Sequence, residues 1–153
     1  MFSPVFFIAL IAALLLTGIA WYAALVYYPS FTYWQKEAIP LRGPLVHNRG
    51  FLLMFPLMSL ELLTSFAVVI FSVKVLSADT PGGDSFLMMN GIAFFMLLAI
   101  WFISLALMRP ARKQFFKQPD SKVHLQLIRI QYVRTGLWTL RAILMVLSVV
   151  QKA

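Results

Sequence analysis

A glutamate and two arginines fall within stretches of sequence that are otherwise almost wholly apolar. Glu61 lies ten residues after Phe51 in one such stretch, and Arg141 lies eleven after Ile130 in another, with Arg134 and Trp138 on the same helical face as Arg141. A charge at the centre of a bilayer costs about 3 kcal/mol or more, so residues of this kind are candidates for function or for tight coupling to one another. Three chemistries are open to them: an ion pair that locks two helices, a site that holds an anionic or amphiphilic ligand, or acid–base work by Glu61. A carboxylate buried alone takes up a proton, whereas a neighbouring guanidinium holds it ionised. Arginine suits that role through its planar fork and weak hydration.

The elements that must carry these residues follow from composition. The chain has 153 residues, of which 61% are hydrophobic and only 12% charged, and this excludes an ordinary soluble domain. Four apolar runs, Pro4 to Tyr28, Phe51 to Val73, Phe86 to Met108 and Ile130 to Val150, are each long enough to cross about 30 Å of hydrocarbon as a helix. The expected fold is therefore all-α: a single transmembrane four-helix bundle over residues 1–153, with helices at about 4–28, 51–73, 86–108 and 123–150. The first run has no basic leader and ends in Trp21, Tyr22, Tyr27 and Tyr28, the pattern of a retained helix rather than a signal peptide. The connections are too short for a soluble catalytic domain, so a site must lie inside the bundle or at its edge.

Basic residues collect in two connections. The first holds Lys36, Arg42 and Arg49, and the third holds Arg109, Arg112, Lys113, Lys117, Lys122 and Arg129, against Lys74 and Lys152 on the other side. Lys and Arg resist translocation, so both termini are expected on the non-cytoplasmic side of a bacterial inner membrane. The net charge of +8 then reads as a cytoplasmic basic surface that attracts anionic lipid, and no nucleic-acid-reading module accompanies it.

Proline and glycine punctuate the connections. Tyr28-Pro29-Ser30 should end the first helix, and the aromatic first loop through Pro40, Gly43 and Pro44 should lie on the membrane interface. Pro56 should kink the second helix and free backbone carbonyls. Residues Ser77 to Ser85 read as a tight turn capped by Asp84 or Ser85, and the fourth helix should begin near Asp120 or Ser121.

On the fourth helix His124, Gln131, Arg134, Trp138 and Arg141 recur at intervals of seven, three, four and three, which puts them on one inward face. At about 1.5 Å per residue, Glu61 and Arg141 are both roughly 15 Å deep from the basic side, so they are expected to meet across two neighbouring spans. Arg134 is nearer that side, where water, carbonyls freed near Pro56, or an anionic ligand such as a lipid phosphate could meet its charge, or where it could snorkel to headgroups. His47, Arg49, His124 and Gln131 are candidates at the cytoplasmic interface. The two histidines could ligate haem, but with no further His, Cys or acidic cluster nearby neither a cofactor nor a metal is expected. Asn90 is expected to make an interhelical hydrogen bond.

The absence of cysteine excludes disulfides and thiol chemistry, and no Gly-rich phosphate loop, Gly-x-Ser-x-Gly, His-Glu-x-x-His or Cys-x-x-Cys is present. Thr17-Gly18 with Trp21 and Tyr28-Pro29, His47 with Arg49, then Pro56, Met58, Glu61-Leu62 and Thr64, and finally Arg134-Thr135, Trp138 and Arg141 form a pattern. It resembles that of a family of small uncharacterised four-helix integral membrane proteins of bacteria. The resemblance spans nearly the whole chain, implies the same architecture, and brings no activity with it. Relatives often carry a further histidine in the first loop, where this chain has only His47.

Three functional readings follow. The chain is a non-enzymatic membrane subunit of a larger complex, or a binder of a lipid or quinone at the Glu61, Arg134, Trp138 and Arg141 site. It is alternatively an enzyme acting on a quinone- or isoprenoid-like substrate, with Glu61 as acid or base. A proton or small-ion carrier built on Glu61 is the third.

Overall fold

A computed structural model describes residues 4–77 and 83–150. Among these residues the chain is all helical, and four helices are long and apolar enough to cross a membrane: α1 (Pro4–Tyr33), α2 (Ala38–Ser77), α3 (Asp84–Lys117) and α4 (Ser121–Val150). The turn expected between Ser77 and Ser85 falls largely outside the described residues.

The helices run well past the apolar stretches. The backbone stays helical through Tyr28-Pro29-Ser30, by way of a π-helical segment at Ala23–Tyr27, and closes in a 3₁₀ turn at Phe31–Tyr33. Helix α2 starts at Ala38 rather than Phe51 and passes through Pro44 and Pro56 without interruption. Each proline removes one backbone donor, so the carbonyls four residues earlier lose a helical partner while the chain still propagates. Helix α3 likewise continues through Pro110 to Lys117 by a second π-helical segment at Ile103–Met108. All but residues 34–37 of the aromatic first connection is thus helix.

These extensions have their own core. Tyr28, Phe31, Ile39, Met108, Ala111, Phe115, Val123 and Leu127 are buried together at the end bearing the first and third connections, here termed the basic end. The segment Arg109–Lys117 buries Ala111 and Phe115 and exposes Lys113, Gln114 and Lys117, the division expected of an amphipathic turn. Asp120 caps α4, its Oδ1 accepting the Lys122 N–H at 3.0 Å.

Helix α1 packs on α2 and α4, and α3 packs on the same two, so α2 and α4 occupy diagonal corners of a four-cornered bundle. From Phe6 to Ala24 the buried residues of α1 are the alanines Ala9, Ala12, Ala13, Ala20 and Ala24 with only Phe6 and Leu16 larger, which lets its backbone approach both neighbours closely. The middle layer is formed by Leu16, Ala20, Met58, Leu97, Ile100 and Trp138, and the layer at the other end by Phe6, Ala9, Ala13, Val68, Phe86, Ala93 and Met145.

Gly43 marks the closest approach between α2 and α3: a Cβ there would sit 2.8 Å from two ring carbons of Phe116. Gly50, one helical stretch further along α2, has nothing within 4 Å of that position. Gly43→Val should therefore destabilise the detergent-solubilised protein by about 1–3 kcal/mol through overpacking. Gly50→Ala should stabilise it by up to about 1 kcal/mol through helix propensity. Thermal melts of the two variants check the contrast, and equal shifts would remove the close-approach argument.

Candidate functional site

The inward face of α4 carries the polar residues of the bundle. Gln131, Arg134, Thr135, Trp138 and Arg141 are buried on it, and His124 is half-buried. Arg141 extends across the bundle centre from α4 to α2. Its Nη1 donates to Glu61 Oε1 in an ion pair, its Nη2 to Ser65 Oγ at 2.6 Å, and its Nε to the Ala93 carbonyl of α3 at 3.1 Å. Glu61 is 0% exposed and Arg141 1%. The spans that hold them are diagonal rather than neighbouring, so the pair ties three helices together instead of sealing one seam.

Each contact has a local cause. Ser65 follows Glu61 by four residues and shares its helical face, so both meet the same guanidinium. Ala93 has no side chain beyond Cβ, and a second donor can therefore reach its carbonyl. Trp138, one turn before Arg141, lies with its ring centroid 5.8 Å from the guanidinium carbon, within cation–π range. Arg141 thus directs all three of its nitrogens to groups of the protein. Glu61 Oε2 is buried with no hydrogen-bond partner. Beside Arg141 a small cavity is lined by Ser65, Asn90, Ala93, Phe94 and Met145. Asn90, where the sequence suggests an interhelical bond, donates its Nδ2 proton to Phe86 O of its own helix at 2.8 Å.

A second polar group joins α4 to α1. Gln131 Nε2 donates to the Ala20 carbonyl at 3.1 Å, and Thr135 Oγ1 lies at the same distance from it. Thr17 Oγ1 reaches the Trp138 carbonyl at 3.2 Å, and Trp21 Nε1 donates to Thr139 Oγ1 at 3.1 Å. Of these seam residues Gln131 and Trp138 stand on the polar face read from the sequence, Thr17, Trp21 and Thr135 enter through the family-like pattern, and Thr139 through neither. Thr135 could have been found from its i+4 spacing to Gln131, to whose carbonyl its hydroxyl donates at 2.9 Å.

Arg134 differs from Arg141. It is only 7% exposed, its Nη1 donates to Gln131 Oε1 at 3.0 Å, and its Nε has no partner. No carboxylate lies within ion-pair distance of it among the described residues. It does not snorkel freely into solvent, and it is not part of the Glu61 pair. His124 donates through Nε2 to the Tyr28 carbonyl at 2.8 Å, since a carbonyl can only accept, and its ring stacks on Phe115 at 5.1 Å. His47 lies against Phe51 and Phe116, and Arg49 is exposed. No group of three or more His, Cys, Asp or Glu that could hold a metal occurs among the described residues.

Comparison with models of known families, with curated proteins and with solved structures gives no match.

Breaking a buried ion pair leaves an uncompensated charge, so Glu61→Gln and Arg141→Met should each destabilise the protein by about 3–5 kcal/mol. The double variant should recover part of the combined loss, because neither charge is then stranded. A thermal-melt double-mutant cycle in detergent measures the coupling, and additive losses would mean that the two side chains act independently.

Proposed function

We propose that this chain is a non-enzymatic integral membrane protein that holds an amphiphilic molecule, a lipid or a quinone, at the basic half of its polar stripe. The observation that carries the reading is the division of labour between the two buried arginines. Arg141 is consumed by Glu61, Ser65 and Ala93, as a scaffold group would be, while Arg134 is buried beside α1 and α3 without a counter-charge. A buried cation without a partner is costly, and a ligand that supplies the missing charge would offset that cost. In the proposed orientation the basic end faces the cytoplasm of a bacterial cell, in keeping with the Lys and Arg distribution. Membership of a larger membrane complex fits the same bundle, whose extramembrane mass is small.

A second reading draws on Glu61. Its Oε2 is unpartnered, and its partner Arg141 lines the small cavity, which is the kind of setting an acid or base for a membrane-soluble substrate would need. Because Glu61 is fully buried and its other oxygen is held by Arg141, this reading requires the bundle to open at its centre.

Mild purification in a non-ionic detergent, followed by mass spectrometry of whatever remains bound, tests the proposal. The expected result is an amphiphile retained at about one per chain. A stoichiometric partner polypeptide with no amphiphile would instead favour the subunit role, and a bare chain would remove the binding reading.

A further inference from the structure

The region around Arg134 can be described more narrowly than as a site for an amphiphile. Arg134 is seven residues from Arg141 and Trp101 is eight from Ala93, in both cases toward the basic end, so both lie about 10–12 Å from the central ion pair. Half the hydrocarbon thickness is about 15 Å, which puts this level just inside the membrane boundary. The Arg134 guanidinium is directed further outward, since it donates to Gln131, one turn nearer the basic end.

Three buried polar atoms at this end have no hydrogen-bond partner: Arg134 Nε, Trp101 Nε1 and Tyr27 Oη. All three can donate. Buried donors are almost always satisfied, so each of the three calls for an acceptor. Arg112 of α3, half-buried, is within electrostatic range of Arg134, Tyr27 and His47, and so adds positive charge rather than neutralising it. An anionic acceptor at Arg134 would satisfy its donor and supply the missing counter-charge together.

The backbone around Arg134 is also unusual. Both π-helical segments, Ala23–Tyr27 of α1 and Ile103–Met108 of α3, pack on α4. The register set by His124 against Tyr28 and by Gln131 against Ala20 puts the first of them beside the stretch leading to Arg134. Counting from Ala93 opposite Arg141 puts the second at the same level. Such segments are rare and concentrate at functional sites, where they re-aim side chains or interrupt the regular ladder. Two of them thus lie beside the stretch of α4 that leads to Arg134 from the basic end.

We propose, building on the amphiphile-binding reading, that Arg134, with Arg112 and Tyr27, recognises a phosphate oxyanion at the basic end of the bundle. A phosphate offers several acceptor oxygens and one or two negative charges, which matches a forked guanidinium, a phenol and a second cation. The depth of Arg134, just inside the hydrocarbon boundary, is within side-chain reach of a phospholipid headgroup. A soluble phosphate entering from the water side would meet the same donors.

Binding is measured in maltoside micelles, which contain no phosphate, by native mass spectrometry and thermal shift with three probes. These are phosphatidylglycerol, a diacylglycerol with the same acyl chains, and inorganic phosphate. Phosphatidylglycerol should bind and raise the melting temperature, and the diacylglycerol should not. Arg134→Gln should weaken phosphatidylglycerol binding about tenfold to a hundredfold, Arg112→Gln by several-fold, and the exposed control Arg49→Gln by less than about twofold. The ligand-free Arg134→Gln protein should melt no lower than the wild type, since an uncompensated buried charge has been removed, whereas a purely structural arginine would give a loss. An Arg134-dependent shift with inorganic phosphate alone would identify a soluble phosphate as the source, through the same oxyanion chemistry. Should Arg134→Gln fail to fold, the ordering of Arg112→Gln against Arg49→Gln decides the matter. Equal binding of phosphatidylglycerol and diacylglycerol, or binding indifferent to both arginine changes, overturns the phosphate inference while leaving the amphiphile reading intact. Failure of every amphiphile to bind removes both.

Discussion

Two opposite charges placed in a medium that cannot solvate them must find each other, and in this bundle they do so across its centre. The attraction between Glu61 and Arg141 is strong because the surroundings are apolar, and the same surroundings make separation costly. The diagonal placement of α2 and α4 follows a consequence through the fold: the arginine side chain has to pass between the other two helices. That passage requires a small residue where α3 comes nearest, met by Ala93, whose carbonyl then takes the Nε proton. It also requires α1 to lie close without intruding, met by its row of buried alanines. One ion pair thus constrains residue size on helices that contribute no charge to it.

The buried polar groups divide by whether the protein itself completes them. Around Arg141 and along the α1–α4 seam, donors and acceptors are nearly all matched, and such networks fix the rotation and register of helices that would otherwise slide in a uniformly apolar setting. At the basic end the balance is reversed. There three buried donors have no partner, Arg134 has no carboxylate within ion-pair distance among the described residues, and the backbone departs twice from regular α-helix. A bundle that satisfies its centre so fully and leaves one end uncompensated has kept rigidity and reactivity toward ligands in separate places. Glu61 Oε2 is the exception, an unpartnered oxygen within the otherwise completed centre.

The helix boundaries show how far local reasoning reaches. Hydropathy marks the segments that must cross lipid, but it loses the signal where helices leave the hydrocarbon. The stretch from Ala38 to Gly50 contains two prolines, two glycines and three charged or imidazole side chains, and it reads as a connection. It is helical because Ile39 and Gly43 pack against the end of α3 and the start of α4, a gain invisible to any local window. Pro29, Pro44, Pro56 and Pro110 all lie within helices for a related reason. Each loses one backbone bond, a cost that tertiary packing offsets when the helix continues into a core. Asn90 was open to a partner on another helix, and its Nδ2 donates to the Phe86 carbonyl one turn back on its own.

Taken alone, the amino-acid sequence determined the all-helical class, four apolar spans, the basic asymmetry of the connections, and the equal depth of Glu61 and Arg141. Those properties depend on composition and on the fixed rise of a helix, which are local. Only the tertiary structure decided that the paired charges belong to diagonal helices, that Ser65 and a backbone carbonyl complete the set, and that Arg134 stands apart from it. Those outcomes depend on which faces meet and how closely, and closeness is set by side-chain volumes on several helices at once, which no single segment encodes.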